Sequence, residues 1–133
     1  MVITQIEVHL IGELALPLPT ILIVEESAQT RDAAVNAITA AGFYVADASN
    51  GDDALRILQG DHDIGLVFTS INMTGKIDGL GLAVRIHRDW PKLAIVMTSA
   101  VVELRQSSLP ERCRFLKKPY RMEDAIRCFR LLL

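Results

Sequence analysis

The chain contains 133 residues, which is the length of a single domain. Half of the residues are hydrophobic and only 5% are aromatic, so the chain can bury an aliphatic core without disulfides or bound metals. A formal net charge of −2 excludes any strong overall attraction to nucleic acid or to an anionic membrane.

Residues 1–19 are apolar and finish with Pro17 and Pro19. Their pattern fits a strand as well as a helix, and the prolines mark a boundary with the chain that follows. We therefore expect an N-terminal appendage at 1–19 and one domain at 20–133. No basic residue precedes Arg31, which excludes a secretory signal, and no apolar stretch is long enough to span a bilayer. These features predict a soluble, cytoplasmic protein.

Short apolar runs alternate with helical patterns along the rest of the chain. The predicted strands are residues 20–24, 43–48, 64–69, 93–97 and 114–116. The predicted helices are residues 27–41 (with Ser27 as the cap), 51–58, 80–89 and 121–131, together with a weak helix at 101–108. Buried strands that alternate with helices specify a parallel sheet. We predict an α/β fold with a doubly wound, five-stranded parallel sheet in the order 2-1-3-4-5.

Ligands of such sheets bind outside the carboxyl ends of the strands. The polar residues at these ends are Glu25 and Glu26 after the first strand, Ser70 and Asn72 after the third, Thr98 after the fourth and Lys118 after the fifth. Two carboxylates can hold a hard cation such as Mg²⁺, and a hydroxyl with a lysine can hold phosphoryl oxygens. Each residue alone is as well explained by solvation or ion pairing, but the whole set predicts a small pocket for phosphate and metal.

Five strings, in this order and spacing, resemble the receiver domain of two-component response regulators over residues 20–131. They are Ile-Leu-Ile-Val-Glu-Glu at 21–26, Leu-Val-Phe-Thr-Ser-Ile-Asn-Met at 66–73, Asp-Gly-Leu at 78–80, Val-Met-Thr-Ser-Ala at 96–100 and Phe-Leu-Lys-Lys-Pro-Tyr at 115–120. The resemblance implies the flavodoxin-like receiver fold and a role in phosphorelay signal transduction.

In that family, an acid pair after the first strand binds Mg²⁺, and an aspartate after the third strand accepts phosphate from a histidine kinase. The resemblance places the acid pair at Glu25 and Glu26, with the backbone carbonyl of Asn72 as a further metal ligand. The acceptor position falls on Ser70, and Thr74 lies where the family often has proline.

Two departures from the family weaken this chemistry. The family's acid pair is rich in aspartate, and the extra methylene of each glutamate here disturbs the near-octahedral geometry that Mg²⁺ requires. A serine hydroxyl is neutral and is weakly nucleophilic without an adjacent base. We therefore expect a weakened Mg²⁺ site, no other cofactor, and a degenerate phospho-acceptor at Ser70.

The remaining roles follow from the same resemblance. Thr98 and Lys118 take the positions that contact phosphate, and Phe115 takes the position of the aromatic residue that signals the switch state. Without an aspartate at the acceptor position, Lys118 faces only Glu25 and Glu26. This predicts a direct salt bridge between the lysine and the acid pair.

Our leading hypothesis is a stand-alone receiver that is not phosphorylated on aspartate and acts by binding a protein. The family's usual interaction face lies here at about residues 101–133, and residues 103–133 hold eight bases and four acids. The partner is then a histidine kinase, a downstream signalling protein or a second copy in a homodimer. Ordinary solvated arginines are the plainer explanation of the same charges.

Two further hypotheses stay open. Ser70 could be phosphorylated by a serine kinase, or the pocket could bind an anion or small ligand. A hydrolase is the remaining alternative, but the sequence lacks a nucleophile elbow, a Walker loop and a histidine near Ser70. We therefore do not expect an enzyme.

Overall fold

The structure is a computed structural model that describes residues 19–60 and 63–133. In this part of the chain there are five strands and four helices. They are β1 (Thr20–Val24), α1 (Ala28–Ala40), β2 (Val45–Ala48), α2 (Gly51–Gln59), β3 (Ile64–Ser70), α3 (Gly79–Asp89), β4 (Ala94–Ser99), β5 (Cys113–Lys117) and α4 (Met122–Leu132). The appendage predicted for residues 1–19 lies outside the described residues except for Pro19.

The five strands form one parallel sheet in the order β2-β1-β3-β4-β5, which confirms the predicted fold. The chain moves from β1 out to the edge strand β2 and then returns to β3 on the other side of β1. The order therefore reverses between β1 and β3, and a crevice opens there outside the carboxyl ends of the strands.

Helices cover both faces of the sheet. On one face, α2 and α3 pack against Leu22 and Val24 of β1; on the other, α1 and α4 pack against Ile21 and Ile23. All four side chains are almost completely buried, which explains why β1 is apolar throughout instead of alternating. Burial of one such side chain contributes about 1.5–3 kcal/mol. The central strands are thus a rigid base for the loops at their ends.

Short polar side chains start three of the helices. Ser27, Asn50 and Asp78 each accept a hydrogen bond from the backbone N–H three residues further on, at the beginnings of α1, α2 and α3. Such caps contribute about 1 kcal/mol each. They also fix where the loops at the carboxyl edge end, and Ser27 directly follows the two glutamates.

The prediction of a helix at 101–108 is wrong, because this segment contains only a 3-10 turn at Gln106–Ser108. The hydroxyl of Ser99 accepts hydrogen bonds from the N–H groups of Val101 and Val102, which bends the chain as it leaves β4. The partly buried apolar residues that follow, such as Leu104 and Leu109, do not have the spacing of a helical stripe.

None of the helices in the described ranges is long and apolar enough to cross a membrane.

The start of α3 is in very close contact with the end of β3. The N–H of Gly79 donates to the carbonyl of Ile71 at 2.9 Å. A Cβ atom at Gly79 would overlap the carbonyl oxygen of Ser70. A glycine is therefore required here for the helix to begin directly beside the site.

We expect Gly79→Ala to lower the free energy of unfolding by about 2 kcal/mol or more, because backbone atoms must move to admit the methyl group. Gly81→Ala is the matched control in the same helical turn, since its methyl group would meet its nearest neighbour, Ile77 Cγ1, at 3.2 Å. Urea unfolding followed by circular dichroism measures both. Equal midpoints for Gly79→Ala and the wild type would contradict the required close contact.

Candidate functional site

The residues singled out at the strand ends come together at the carboxyl edge of the sheet, with the exception of Phe115. Ser70 is the last residue of β3 and pairs in register with Thr98 of β4. Glu25 follows β1, and its N–H bonds to the carbonyl of Ala48 at the end of β2. The parallel register therefore brings these strand ends to one level.

Glu25 lies at the centre of a closed hydrogen-bond network. Its Oε1 accepts a hydrogen bond from Ser70 Oγ at 2.8 Å and lies 3.4 Å from Lys118 Nζ. Lys118 Nζ also donates to Ser70 Oγ at 3.2 Å. The second carboxylate oxygen, Oε2, accepts from the N–H of Ser27 at 3.0 Å. Serine, lysine and glutamate thus satisfy one another directly.

Burial makes this network important for stability. Glu25 is only 8% exposed and Ser70 only 6%. A carboxylate with so little contact with water needs both a counter-charge and hydrogen-bond donors, and here it has both. The salt bridge predicted for Lys118 is present, but it is formed with Glu25 and not with Glu26.

Glu26 turns away from the network. Its Oε2 accepts hydrogen bonds from the N–H of Thr74 at 2.9 Å and from Thr74 Oγ1 at 2.8 Å. These bonds hold the pKa of the Glu26 carboxyl below its usual value, and the bond from the backbone N–H of Thr74 has the larger effect. Proline has no N–H. The bond from the backbone N–H to Glu26 therefore requires a residue such as Thr74 at the position where the family often has proline.

Asn72 is also held by a neighbour. Its Oδ1 accepts a hydrogen bond from Ser99 Oγ at 2.5 Å, the same hydroxyl that accepts from the start of the segment after β4. Thr98 is buried, and its carbonyl accepts from the N–H of Ile71 at 2.8 Å. Both residues therefore join β3 and the following loop to β4.

The side chains in this arrangement do not fit a Mg²⁺ ion. The two carboxylates diverge, and each already binds protein donors. Nowhere among residues 19–60 and 63–133 do three or more histidine, cysteine, aspartate or glutamate side chains form a group that could hold a metal. Mg²⁺ needs converging oxygen ligands in octahedral geometry, which this loop does not offer.

A small cavity of about 10 Å³ lies beside Glu25 and Ser70, and Thr98 and Tyr120 contribute to its lining. That volume just admits one water molecule. Tyr120 also packs against Phe68 with a distance of 5.9 Å between ring centres. Phe115 is not among the lining residues and packs on the other face of the sheet, with α2 and α3.

Arg31 belongs to the site although we did not predict it. Its Nη1 donates to the backbone carbonyls of Glu25 at 2.8 Å and Glu26 at 3.5 Å. Its Nε lies 3.3 Å from Asp47 Oδ2 on β2. The guanidinium therefore fastens the acidic loop to the edge strand. The sequence did offer a signal for this role. Arg31 is the first basic residue in the acidic first half of the chain, and it lies a few residues after Glu25 and Glu26.

The sequence profile of the response regulator receiver domain family matches residues 21–128. Among solved structures, the chain is similar to a response regulator receiver protein from Sinorhizobium medicae WSM419. The identity is 26%, the TM-score is 0.78, and the match covers 86% of this chain and 94% of that one.

Two more distant structures agree in fold. One is the response regulator protein TrrA from Thermotoga maritima in complex with Mg²⁺-BeF, at 23% identity and a TM-score of 0.74, covering 87% of this chain and 100% of that one. The other is the chemotaxis protein CheY4 from Vibrio cholerae, at 21% identity and a TM-score of 0.73, covering 87% and 99%. No curated protein matches the chain.

Tyr120 offers a spectroscopic probe of the site. Burial, and after it the nearby Glu25 carboxylate, raise the pKa of the Tyr120 phenol above its ordinary value. Because the folded-state pKa is the higher one, the stability linked to the neutral phenol is fully present below the unfolded pKa. It is lost as the pH rises through the folded pKa.

We expect the Tyr44→Phe variant, in which Tyr120 is the remaining tyrosine, to show a phenolate absorbance midpoint at higher pH when folded than when unfolded in denaturant. Adding Glu25→Gln to Tyr44→Phe should lower the midpoint, because the carboxylate charge is removed. Identical midpoints for the folded and the unfolded variant would show that the phenol beside the cavity is solvated.

Proposed function

Because the chain belongs to the response regulator receiver domain family, we propose that it is a receiver that signals without aspartyl phosphorylation. As a receiver domain, it is a part of two-component signal transduction. The observation that supports the finer proposal is the bond from Ser70 Oγ to Glu25 Oε1 at the acceptor position. There, a neutral hydroxyl and a lysine already satisfy the carboxylate.

Ser70 is poorly suited to accept a phosphoryl group. A serine hydroxyl needs a base that takes its proton, and the geometry supplies only Glu25, which is itself neutralised by Lys118. The cavity of about 10 Å³ beside Ser70 holds about one water molecule, so it offers no room for a phosphoryl group on that side of the hydroxyl. The diverging carboxylates also leave no metal to neutralise the developing charge.

The closed network supports a receiver with one conformation at this site. In a phosphorylated pocket, a lysine would contact phosphate oxygens; here Lys118 contacts protein oxygens in the resting chain. Glu26, likewise, is engaged by Thr74. No ligand is needed to satisfy these charges, so the site has no evident driving force to change on encountering Mg²⁺ or phosphate.

Protein binding is the mode of action that we propose. The face formed by residues 101–133 carries arginines such as Arg105, Arg121 and Arg127, all exposed. This face suits an acidic surface of a histidine kinase or of a downstream signalling protein, or a second copy of the chain. Receiver domains are signalling modules and generally not enzymes, and we propose no catalytic activity. We assign the domain to residues 20–133 and the appendage to residues 1–19.

The alternative switches receive less support. A serine kinase would have to reach Ser70, which is only 6% exposed and bonded through its hydroxyl. An anion would have to displace the carboxylate of Glu25 from Lys118. The cavity of about 10 Å³ beside Glu25, which Lys118 does not line, offers it no room. Neither a modified serine nor a bound anion is therefore part of our proposal.

The proposal is tested by intact mass after incubation with a small phosphodonor and Mg²⁺. We expect the wild-type chain to gain no phosphoryl group. Ser70→Asp restores the anionic nucleophile, and combining it with Glu25→Asp and Glu26→Asp shortens both carboxylates enough for a metal to enter. This triple variant should gain one phosphoryl group per chain.

Two controls sharpen the result. The triple variant without Mg²⁺ should stay unmodified, because the charge on the transferred group is then not neutralised. Glu25→Asp with Glu26→Asp, but with Ser70 retained, should also stay unmodified, since no carboxylate occupies the acceptor position. Phosphorylation of the wild-type chain would contradict the proposal and would mean that Ser70 or another residue accepts the group.

A further inference from the structure

The chain before Pro19 is attached to the domain beside the end of α4. Pro19 packs on Gly65 near the start of β3, and a Cβ atom at Gly65 would overlap the proline ring. The same Cβ atom would lie 3.3 Å from Leu133 Cδ2. Residue 18 is therefore joined to a point next to the last turn of α4, on the face of the sheet that α1 and α4 cover.

A groove of about 570 Å³ runs along the outer side of α4. This α4 groove is lined by one residue that follows α1 and by five residues of α4: Ala41, Glu123, Ile126, Arg127, Arg130 and Leu131. Its volume is comparable with that of pockets that enclose a small ligand. Leu131 is two residues before Leu133 and is 77% exposed although it is aliphatic. The groove therefore offers apolar surface close to the attachment point.

The charges around the α4 groove leave one arginine without a counter-charge. Glu123 pairs with Arg121 at 3.4 Å, and Asp124 pairs with Arg127 at 3.6 Å. Arg130 donates to a backbone carbonyl at 3.5 Å, and no carboxylate of residues 19–60 or 63–133 forms an ion pair with it. A segment that binds here therefore gains a favourable interaction if it brings a carboxylate.

Residues 1–18 match this surface in composition. They are mostly aliphatic, and their charged side chains are those of Glu7 and Glu13. Burial of aliphatic side chains is favourable in proportion to the apolar area that leaves water. The segment contains no lysine or arginine that the arginines of the groove would repel. It therefore brings both the apolar side chains and the carboxylate that the groove lacks.

The connection is short enough for Glu13 to reach Arg130. Glu13 is six residues before Pro19, and six residues span about 9 Å as a helix and at most about 20 Å when extended. Arg130 is about 5 Å of helix before Leu133, which lies beside Pro19. Because both partners belong to one chain, their effective concentration is far above that of a segment from another molecule.

We propose that residues 1–18 bind in the α4 groove of their own chain, with aliphatic side chains on Ile126 and Leu131 and with Glu13 paired to Arg130. The observations that support this are the attachment beside Leu133, the exposed apolar surface next to it and the unbalanced charge of Arg130. The inference goes beyond the proposed receiver function, because it does not depend on the chemistry of Ser70.

Disulfide trapping in the whole chain tests the proposal. Gly12→Cys and Arg127→Cys put thiols next to the proposed ion pair but keep Glu13 and Arg130, and Cys128→Ala removes the half-buried native thiol. We expect mild oxidation of dilute protein to join residues 12 and 127 within one chain. A nonreducing gel shows this product as a monomer, and peptide mass spectrometry identifies the two cysteines.

Gly12→Cys with Tyr44→Cys is the matched control. Tyr44 is 66% exposed, and its carbonyl accepts a hydrogen bond from the N–H of Ile21, two residues after Pro19. It is therefore also close to the attachment point, but it does not line the groove. We expect this pair to form its disulfide at least about tenfold more slowly than the pair at residues 12 and 127.

Substitutions in the trapping variant test the two kinds of contact separately. Arg130→Glu should slow disulfide formation at least about threefold, and Glu13→Arg added to it should restore the rate, because the two charges are then exchanged. Leu131→Glu should also slow it. Val84→Glu changes a similarly exposed aliphatic residue on α3, outside the groove, and should leave the rate unchanged.

Equal rates for the groove pair and the Tyr44 pair would overturn the proposal, as would a rate that Arg130→Glu leaves unchanged. Disulfides that link two chains would also overturn it, because the groove would then bind a segment of a second copy. The outcome is independent of the phosphodonor experiment, which uses variants of Ser70 and measures a gain of mass.

Discussion

The carboxylate of Glu25 is the group around which the carboxyl edge of this sheet is organised. It is nearly buried, so its charge must be matched by groups that arrive from elsewhere in the chain. Ser70 reaches it from β3, Lys118 from the end of β5, and Ser27 from the start of α1. One carboxylate therefore ties together three segments that are distant in the sequence. In a site that binds phosphate and metal, a metal ion would balance part of the carboxylate charge, and a phosphoryl group would contact the lysine.

The second glutamate shows how a small change of sequence redirects a site. Glu26 is adjacent to Glu25, yet its side chain, which is one methylene longer than that of aspartate, reaches Thr74 in a different loop. A proline at that position would leave the carboxylate without the backbone N–H. The glutamate and the threonine together thus remove the second acid from the place where a metal would need it. The poor fit of this site to Mg²⁺ therefore depends on several residues and not on position 70 alone.

The fold could be predicted almost completely from the sequence, because aliphatic runs such as residues 21–24 and 94–97 are short, rich in β-branched residues and separated by helical patterns, which indicates buried strands. The residues of the site could also be predicted, since strand order decides which loop ends meet. Most of their partners could not: a salt bridge from Lys118 to the acid pair was expected, but not that Glu25 alone would form it. Whether a glutamate bonds to Thr74 or to Lys118 depends on side-chain torsions and on loop positions that carry no periodic signal. Arg31 was missed for the same reason, because it acts through backbone carbonyls, which every residue has.

The short distance between Ser70 and Glu25 has an evolutionary consequence. An aspartate restored at position 70 would place a second negative charge within about the length of a hydrogen bond of the first, with a single lysine to balance both. The step back is therefore costly unless the neighbouring glutamates change as well, and the substitutions are coupled rather than additive. A single substitution at position 70 therefore cannot by itself recreate the family's site, because the carboxylates beside it must be rearranged at the same time.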